Sequence, residues 1–142
     1  IRIVRSPHHR ASFTFGDLTA FVAATPGMEA VLTAADVDGR NRFGVIPATA
    51  DQPVFAEGLV RFRGEAIAMV GGEPAARAAL DLSTFPVSWH ELPPLLSIDD
   101  AQASDAPRLH DERGGNVLVR GNVRQPEGGG GRLSQLSSSW PQ

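Results

Sequence analysis

The sequence predicts a single domain that mixes helices with strands. Short runs of β-branched or alternating residues, "IRIVR", "ASFTF" and "MEAVLT", are interleaved with stretches of helical spacing, "LTAFVAA" and "EPAARAALDLS". At 142 residues the chain can build one core but not comfortably two. Its 42% hydrophobic and 20% charged content places it among ordinary soluble globular proteins.

Read in order, "IRIVR" is a short strand stopped by Pro7, because proline has no N–H to give to a ladder. "ASFTF" is a second strand or an extended arm. Asp17 is placed to cap a helix over "LTAFVAA", with Leu18, Phe21 and Val22 on one face and Thr25-Pro26-Gly27 ending it. "MEAVLT" follows as a buried strand, and "AADVDGRNRFGVIPATADQP" as a long loop rich in Gly, Pro, Asp and Asn.

From Leu59 to Val70 the pattern returns to strand, with Leu59, Arg61 and Arg63 on one face and Val60 and Phe62 on the other. Gly64 marks a bend, turn or bulge inside it. Gly71-Gly72 leads into a helix with Pro74 at its first position; Ala75, Ala78, Ala79 and Leu82 make a face for close packing on a sheet. "FPVSWHEL" is another strand, stopped by Pro93-Pro94. Ser97 caps a short turn, "IDDAQA", and "NVLVRGNV" is a last extended piece after Gly114-Gly115. From Pro126 the Gly/Ser-rich "PEGGGGRLSQLSSSWPQ" has little hydrophobic patterning and reads as a flexible tail.

Composition excludes several functions. The net charge is −3, and the positive charges, all arginine, do not cluster, so no nucleic-acid footprint is present. Without cysteine the chain can form no disulfide, ligate no iron–sulfur cluster and offer no thiolate nucleophile. No apolar run approaches the length of a membrane span. The N-terminus lacks the features of a secretory signal, has no Met and starts mid-strand, and so reads as cut from a longer protein.

The chemical candidates are few. Glu57 and Glu65, with Arg61 and Arg63, sit in the apolar run "FAEGLVRFRGEAIAMVGGEP". An acid/base pair needs one carboxyl raised by an apolar pocket, and their spacing does not show that they meet. The simpler reading is a turn before a strand and that strand's outer face. His8 and His9 are adjacent and point apart on a strand, while His90 and His110 are isolated, so no metal spacing arises. Ser88, His90 and Asp99 supply the residue types of a hydrolase triad without a G-x-S-x-G elbow. "GGEPAAR" puts glycines before a helix but lacks G-x-G-x-x-G and GK[ST], so a tight turn is expected.

Several segments together resemble the α/β-hammerhead domain of the molybdenum-binding large subunit in the xanthine dehydrogenase/aldehyde oxidase family. "VRSPHHRASF" is similar to that family's R-S-P-H-A-H-A segment. "TPGMEAVLTAADVDGRNRFG" is similar to its P-G-V-x-x-V-L-T-A-x-D-V-x-G-x-N-x-F-G run. "DQPVFAEGLVRFRGEAIAMVGGEPAARAALDLSTFPVSWHELPPLLSIDDA" is similar to its stretch with V-x-Y-x-G-E-P/A-V-A-A-V and a later E-L-P. The matches run from about Val4 to Val123 in the family's order.

The resemblance implies an α+β fold: a small mixed sheet with two main helices packed on it. It implies a hammerhead domain over 1–125, its first strand missing before Ile1, and a divergent tail over 126–142. "VRFRGEAIAMV" becomes two core strands joined at a glycine turn, with Glu65 the acidic residue of that turn. The parent would be an oxidoreductase hydroxylating an aldehyde or N-heterocycle. Its molybdopterin, [2Fe-2S] and FAD centres lie in other domains or subunits, so this chain carries no catalytic residue, cofactor or metal of its own.

What the resemblance leaves to this chain is packing and one wall of a substrate entrance, formed by Phe43, Gly44, Val45 and Ile46 in the long loop. Its partners are the remaining domains of the large subunit and the iron–sulfur and flavin subunits, not nucleic acid or membrane. Exposed apolar faces would favour self-association, and the expected compartment is the cytoplasm. The alternative is a free-standing, non-catalytic binding or scaffold module that reuses the fold.

Overall fold

Six strands and three short helices form among the described residues, which are 1–47, 50–119 and 121 of the computed structural model. Strand β1 (Arg2–Arg5) stops at the Ser6-Pro7 turn, where buried Ser6 closes the chain through its hydroxyl: Ser6 Oγ accepts from the His8 amide at 3.0 Å. Strand β2 (Ala11–Phe15) follows, so "ASFTF" is a strand and not an arm. Helix α1 (Leu18–Ala24) starts where Asp17 Oδ1 accepts from the Ala20 amide at 2.8 Å, the N-cap bond that satisfies an otherwise orphaned helix donor.

Strand β3 (Met28–Leu32) leads to a single 3₁₀ turn, Ala34–Asp36, held by a capping box between Thr33 and Asp36. After the long loop come β4 (Leu59–Val60), β5 (Ala66–Gly72), α2 (Pro74–Ala79), β6 (Val87–Glu91) and α3 (Ile98–Gln102). Ser97 caps α3 by accepting from the Asp100 amide at 3.0 Å.

The strands divide into two sheets, ordered β1-β5-β3 and β4-β2-β6, and each pairing is antiparallel. The α+β hammerhead class holds, with the expected sheet split in two. Strand β5 is central to the first sheet and apolar on both faces: Ile67, Ala68 and Val70 are fully buried. A side chain the size of Ile67 or Val70 stabilises the fold by about 1.5–3 kcal/mol when buried. The second sheet closes the core from the other side with Ala11, Phe13 and Val60. Phe13 and Phe15 of β2 meet at 5.2 Å between ring centroids, and Phe15, Phe85 and Phe21 continue the aromatic contact toward α1. Leu18, Phe21 and Val22 do face the core, as their helical spacing predicts.

Two local expectations fail for identifiable reasons. The strand after Leu59 stops at Val60 instead of running through Arg63, and Phe62 is exposed. Buried Glu65 ends it: its carboxylate folds back and Oε2 accepts from the Arg61 amide at 2.5 Å, taking the donor a ladder would use. Gly64, at φ 95°, makes that reversal.

On α2 the core-facing alanine is Ala76, while Ala75, Ala78 and Ala79 are exposed. Ala76 seats against Gly27, where an added Cβ would lie 2.8 Å from the Ala76 methyl. Of the last extended piece, residues 116–119 pair with no strand, and Val117, Leu118 and Val119 are exposed. The Gly/Ser-rich tail from 126 lies outside the described residues.

Candidate functional site

The long loop has a stiff neck and an apolar tip. Asn41 makes the neck: its Nδ2 donates to the Phe55 carbonyl and to Glu57 Oε1, each at 2.7 Å, and its Oδ1 accepts from the Phe55 amide at 3.0 Å. One step outward, the Phe43 amide donates to the Gln52 carbonyl at 2.8 Å, forming an isolated antiparallel bridge. At Gly44 the two arms touch, since an added Cβ would stand 2.8 Å from Ala50 Cα. Around this pinch the chain presents Phe43 at 50%, Val45 at 100% and Ile46 at 54% exposure. Apolar side chains held outward on an anchored neck make a contact surface, not a core.

Behind the neck lies a charged cavity of about 190 Å³ whose lining includes Arg42, Asp51, Glu57, Arg61, His110 and Glu112. His110 Nδ1 stands 3.7 Å from Asp51 Oδ2, which also pairs with Arg113. Arg61 Nε donates to the Leu109 carbonyl at 2.6 Å. Glu112, on the solvent side, is held below the usual carboxyl range chiefly by its own backbone amide, with His110, Arg42 and Arg61 adding to the effect. A proton donor needs the opposite, a carboxyl pushed upward by an apolar pocket.

Glu57 and Glu65 do not form a working pair. Glu57 is exposed and receives Asn41, whereas Glu65 is 3% exposed and receives a backbone amide. Glu65 Oε1 and Arg10 Nε are buried side-chain atoms without a hydrogen-bond partner among the described residues. Ser88 and His90 lie on exposed positions of β6, and no hydrogen bond or ion pair joins either to the other or to Asp99 among the described residues. His8 packs on Trp89, 5.2 Å between ring centroids, and pairs with Glu91 at 3.0 Å.

The described residues do not fit a molybdopterin. A phosphate-bearing pterin needs converging backbone donors at an open glycine turn. Gly71 and Gly72 instead end strand β5 and pair with β3, so the tight turn expected at "GGEPAAR" does not form there, and an added Cβ at Gly72 would stand 2.3 Å from the Gly27 carbonyl oxygen. No three His, Asp or Glu side chains converge for a metal among the described residues. No helix of the described residues is long and apolar enough to cross a membrane.

Asn41 is the residue of the loop neck whose bonds the sequence pattern does not reveal. The family run G-x-N-x-F-G marks its position without saying what it does, because the partner it staples, Phe55, is 14 positions away.

Residues 1–93 match the protein family described as "Aldehyde oxidase and xanthine dehydrogenase, a/b hammerhead domain". The chain is 42% identical over 94 residues to a probable xanthine dehydrogenase subunit of Bacillus subtilis, an overlap of 66% of this chain and 12% of that protein. It is 32% identical over 89 residues to the "Nicotinate dehydrogenase large molybdopterin subunit" of Eubacterium barkeri, covering 63% of this chain and 20% of that one. Among solved structures it is similar to the aldehyde oxidoreductase of Desulfovibrio gigas, with a TM-score of 0.64 and 30% identity over 78% of this chain and 13% of that one. The chain therefore spans between 12% and 20% of the length of these relatives.

Proposed function

This chain belongs to the a/b hammerhead domain family of aldehyde oxidase and xanthine dehydrogenase, and on that premise we propose that it is the hammerhead domain of a molybdenum hydroxylase large subunit. The parent enzyme hydroxylates an aldehyde or an N-heterocycle, its molybdopterin held by other domains and its electrons leaving through iron–sulfur and flavin centres elsewhere. The domain extends over residues 1–125, past the segment that the family match covers.

The role of this chain within that enzyme is architectural, with one contribution to the substrate path. In this reading Phe43, Gly44, Val45 and Ile46 form one wall of the entrance, where apolar side chains would desolvate the incoming substrate. The observation that carries this is the neck: Asn41 and the Phe43–Gln52 bridge hold an apolar tip out into solvent. A loop with no partner would gain nothing by that arrangement, because exposed apolar area in water is a cost.

Reading the coding sequence on both sides of this segment tests the assignment. The expected result is a frame continuing into molybdopterin-binding domains. A stop codon with no such domains nearby would refute it and leave a free-standing module.

A further inference from the structure

Beyond β6 the chain is of a different kind from the body it leans on. No residue from Pro94 to Val119 is buried, and none joins the core cluster. The segment organises itself around Asn116, whose Nδ2 donates to the carbonyls of Ala101 and Pro107, each at 3.0 Å, and whose Oδ1 accepts from the Leu109 amide at 2.9 Å.

Its links to the body are polar. Arg61 Nε reaches the Leu109 carbonyl at 2.6 Å, Arg113 pairs with Asp51, and His110 stands 3.7 Å from the same carboxylate. These links close a cavity of about 390 Å³ whose lining includes Arg61, Phe62, Glu65 and His110. Buried Glu65 and half-exposed Phe62 thus have the segment as their outer cover.

We propose that residues 94–119 form a salt-labile clasp, which releases from the Arg61–Glu65 turn and loses its internal order on release, while the two sheets stay folded. A segment with no fully buried side chain has little hydrophobic energy to hold it, so charge and hydrogen bonding set its closure. Partly exposed ion pairs are the links that salt weakens most, because screening shortens from about 30 Å at 0.01 M to about 3 Å at 1 M. Opening frees Asp51 and Arg61 together, two groups of opposite charge on the loop-neck side. The proposal concerns this chain alone and stands whether or not a parent enzyme is found.

Amide hydrogen exchange on the full chain tests it, at fixed pH and two salt concentrations. The Leu109 and Arg113 amides, bonded to Asn116 and His110, report the clasp. The Ile67 and Val70 amides in β5 report the body. Going from low salt to about 1 M should lower protection of the clasp amides by about three- to tenfold, the effect of losing one or two ordinary surface pairs, and leave β5 unchanged. Asp51→Asn and Arg113→Gln, on opposite sides of the link, should each reproduce that loss at low salt. Clasp protection that ignores both salt and the two variants would overturn the proposal. So would β5 amides losing protection in the same proportion, because the clasp would then open only on global unfolding.

Discussion

Replacing Gly72 with alanine drives a methyl group into the joint between β3 and β5. The new Cβ would lie 2.3 Å from the Gly27 carbonyl oxygen and 2.9 Å from Met28 Cα. Carbon and carbonyl oxygen ordinarily meet at roughly 3.3–3.6 Å, so the two backbones must part by about 1 Å. Both obstructing atoms are main chain, and neither can swing aside. Parting them strains the Glu73 amide bond to the Gly27 carbonyl, now 2.8 Å, and unseats Ala76 from Gly27.

Overpacking costs about 1–3 kcal/mol and a weakened hydrogen bond about another 1 kcal/mol. Against this, alanine returns about 0.4–1 kcal/mol by restricting the unfolded chain. The net loss is about 1–3.5 kcal/mol. With a slope of about 2 kcal/mol per molar in urea, the unfolding midpoint of Gly72→Ala falls by about 0.5–1.8 M. Gly71 is the internal control, since its added Cβ meets nothing closer than the Ala30 oxygen at 3.9 Å. Gly71→Ala should leave the midpoint unchanged or raise it slightly. Equal midpoints for the two variants would refute the reasoning.

Glu65→Ala should cost about 1–3 kcal/mol, the penalty for stranding the half-buried Arg61 amide, whereas Glu65→Gln keeps an acceptor and should lose much less in the same urea titration. Asp81, an exposed carboxylate, is held below the ordinary carboxyl range chiefly by the Ser83 amide, with the Ser83 hydroxyl and Arg2 assisting. A lowered carboxyl stabilises the fold above its unfolded pKa, and that contribution disappears as pH falls through the folded value. The gap in thermal midpoint between wild type and Asp81→Asn should therefore be open at neutral pH and close below about pH 4. In an assembled parent enzyme, Val45→Asp should lower kcat/KM by about fivefold, as losing roughly 1 kcal/mol of apolar contact would, with the bound molybdenum unchanged; an unaltered kcat/KM would remove the loop from the entrance.

Much of the architecture was legible because its determinants are local. Asp17, Pro74 and Ser97 mark the starts of α1, α2 and α3 within a few residues of where they act. Pro7 and Pro93 bound β1 and β6 in the same way. The run "TPGMEAVLTAADVDGRNRFG" identified the family, and it forms β3, the capped 3₁₀ turn and the first arm of the loop.

What escaped is set by distant partners. The choice of Ala76 over Ala75 as the core-facing alanine of α2 depends on Gly27, which no helical spacing reports. The early end of β4 depends on Glu65 reaching back to Arg61 across a positive-φ glycine. The split into two sheets depends on β5 pairing with β1, more than 60 residues earlier, while β4 pairs with β2. At the candidate site, the apolar tip was legible in "RFGVI", but the neck that presents it was not, because Asn41 and Phe55 are separated by the loop itself.

The measurement that tests the central claim most directly is assembly in trans. The remainder of a molybdenum hydroxylase large subunit is produced without its hammerhead segment, loaded with cofactor, and mixed with this chain. The account predicts an equimolar complex that survives size-exclusion chromatography and recovers hydroxylase turnover absent from either piece alone. A folded chain that passes a folded, cofactor-loaded remainder without binding would contradict it.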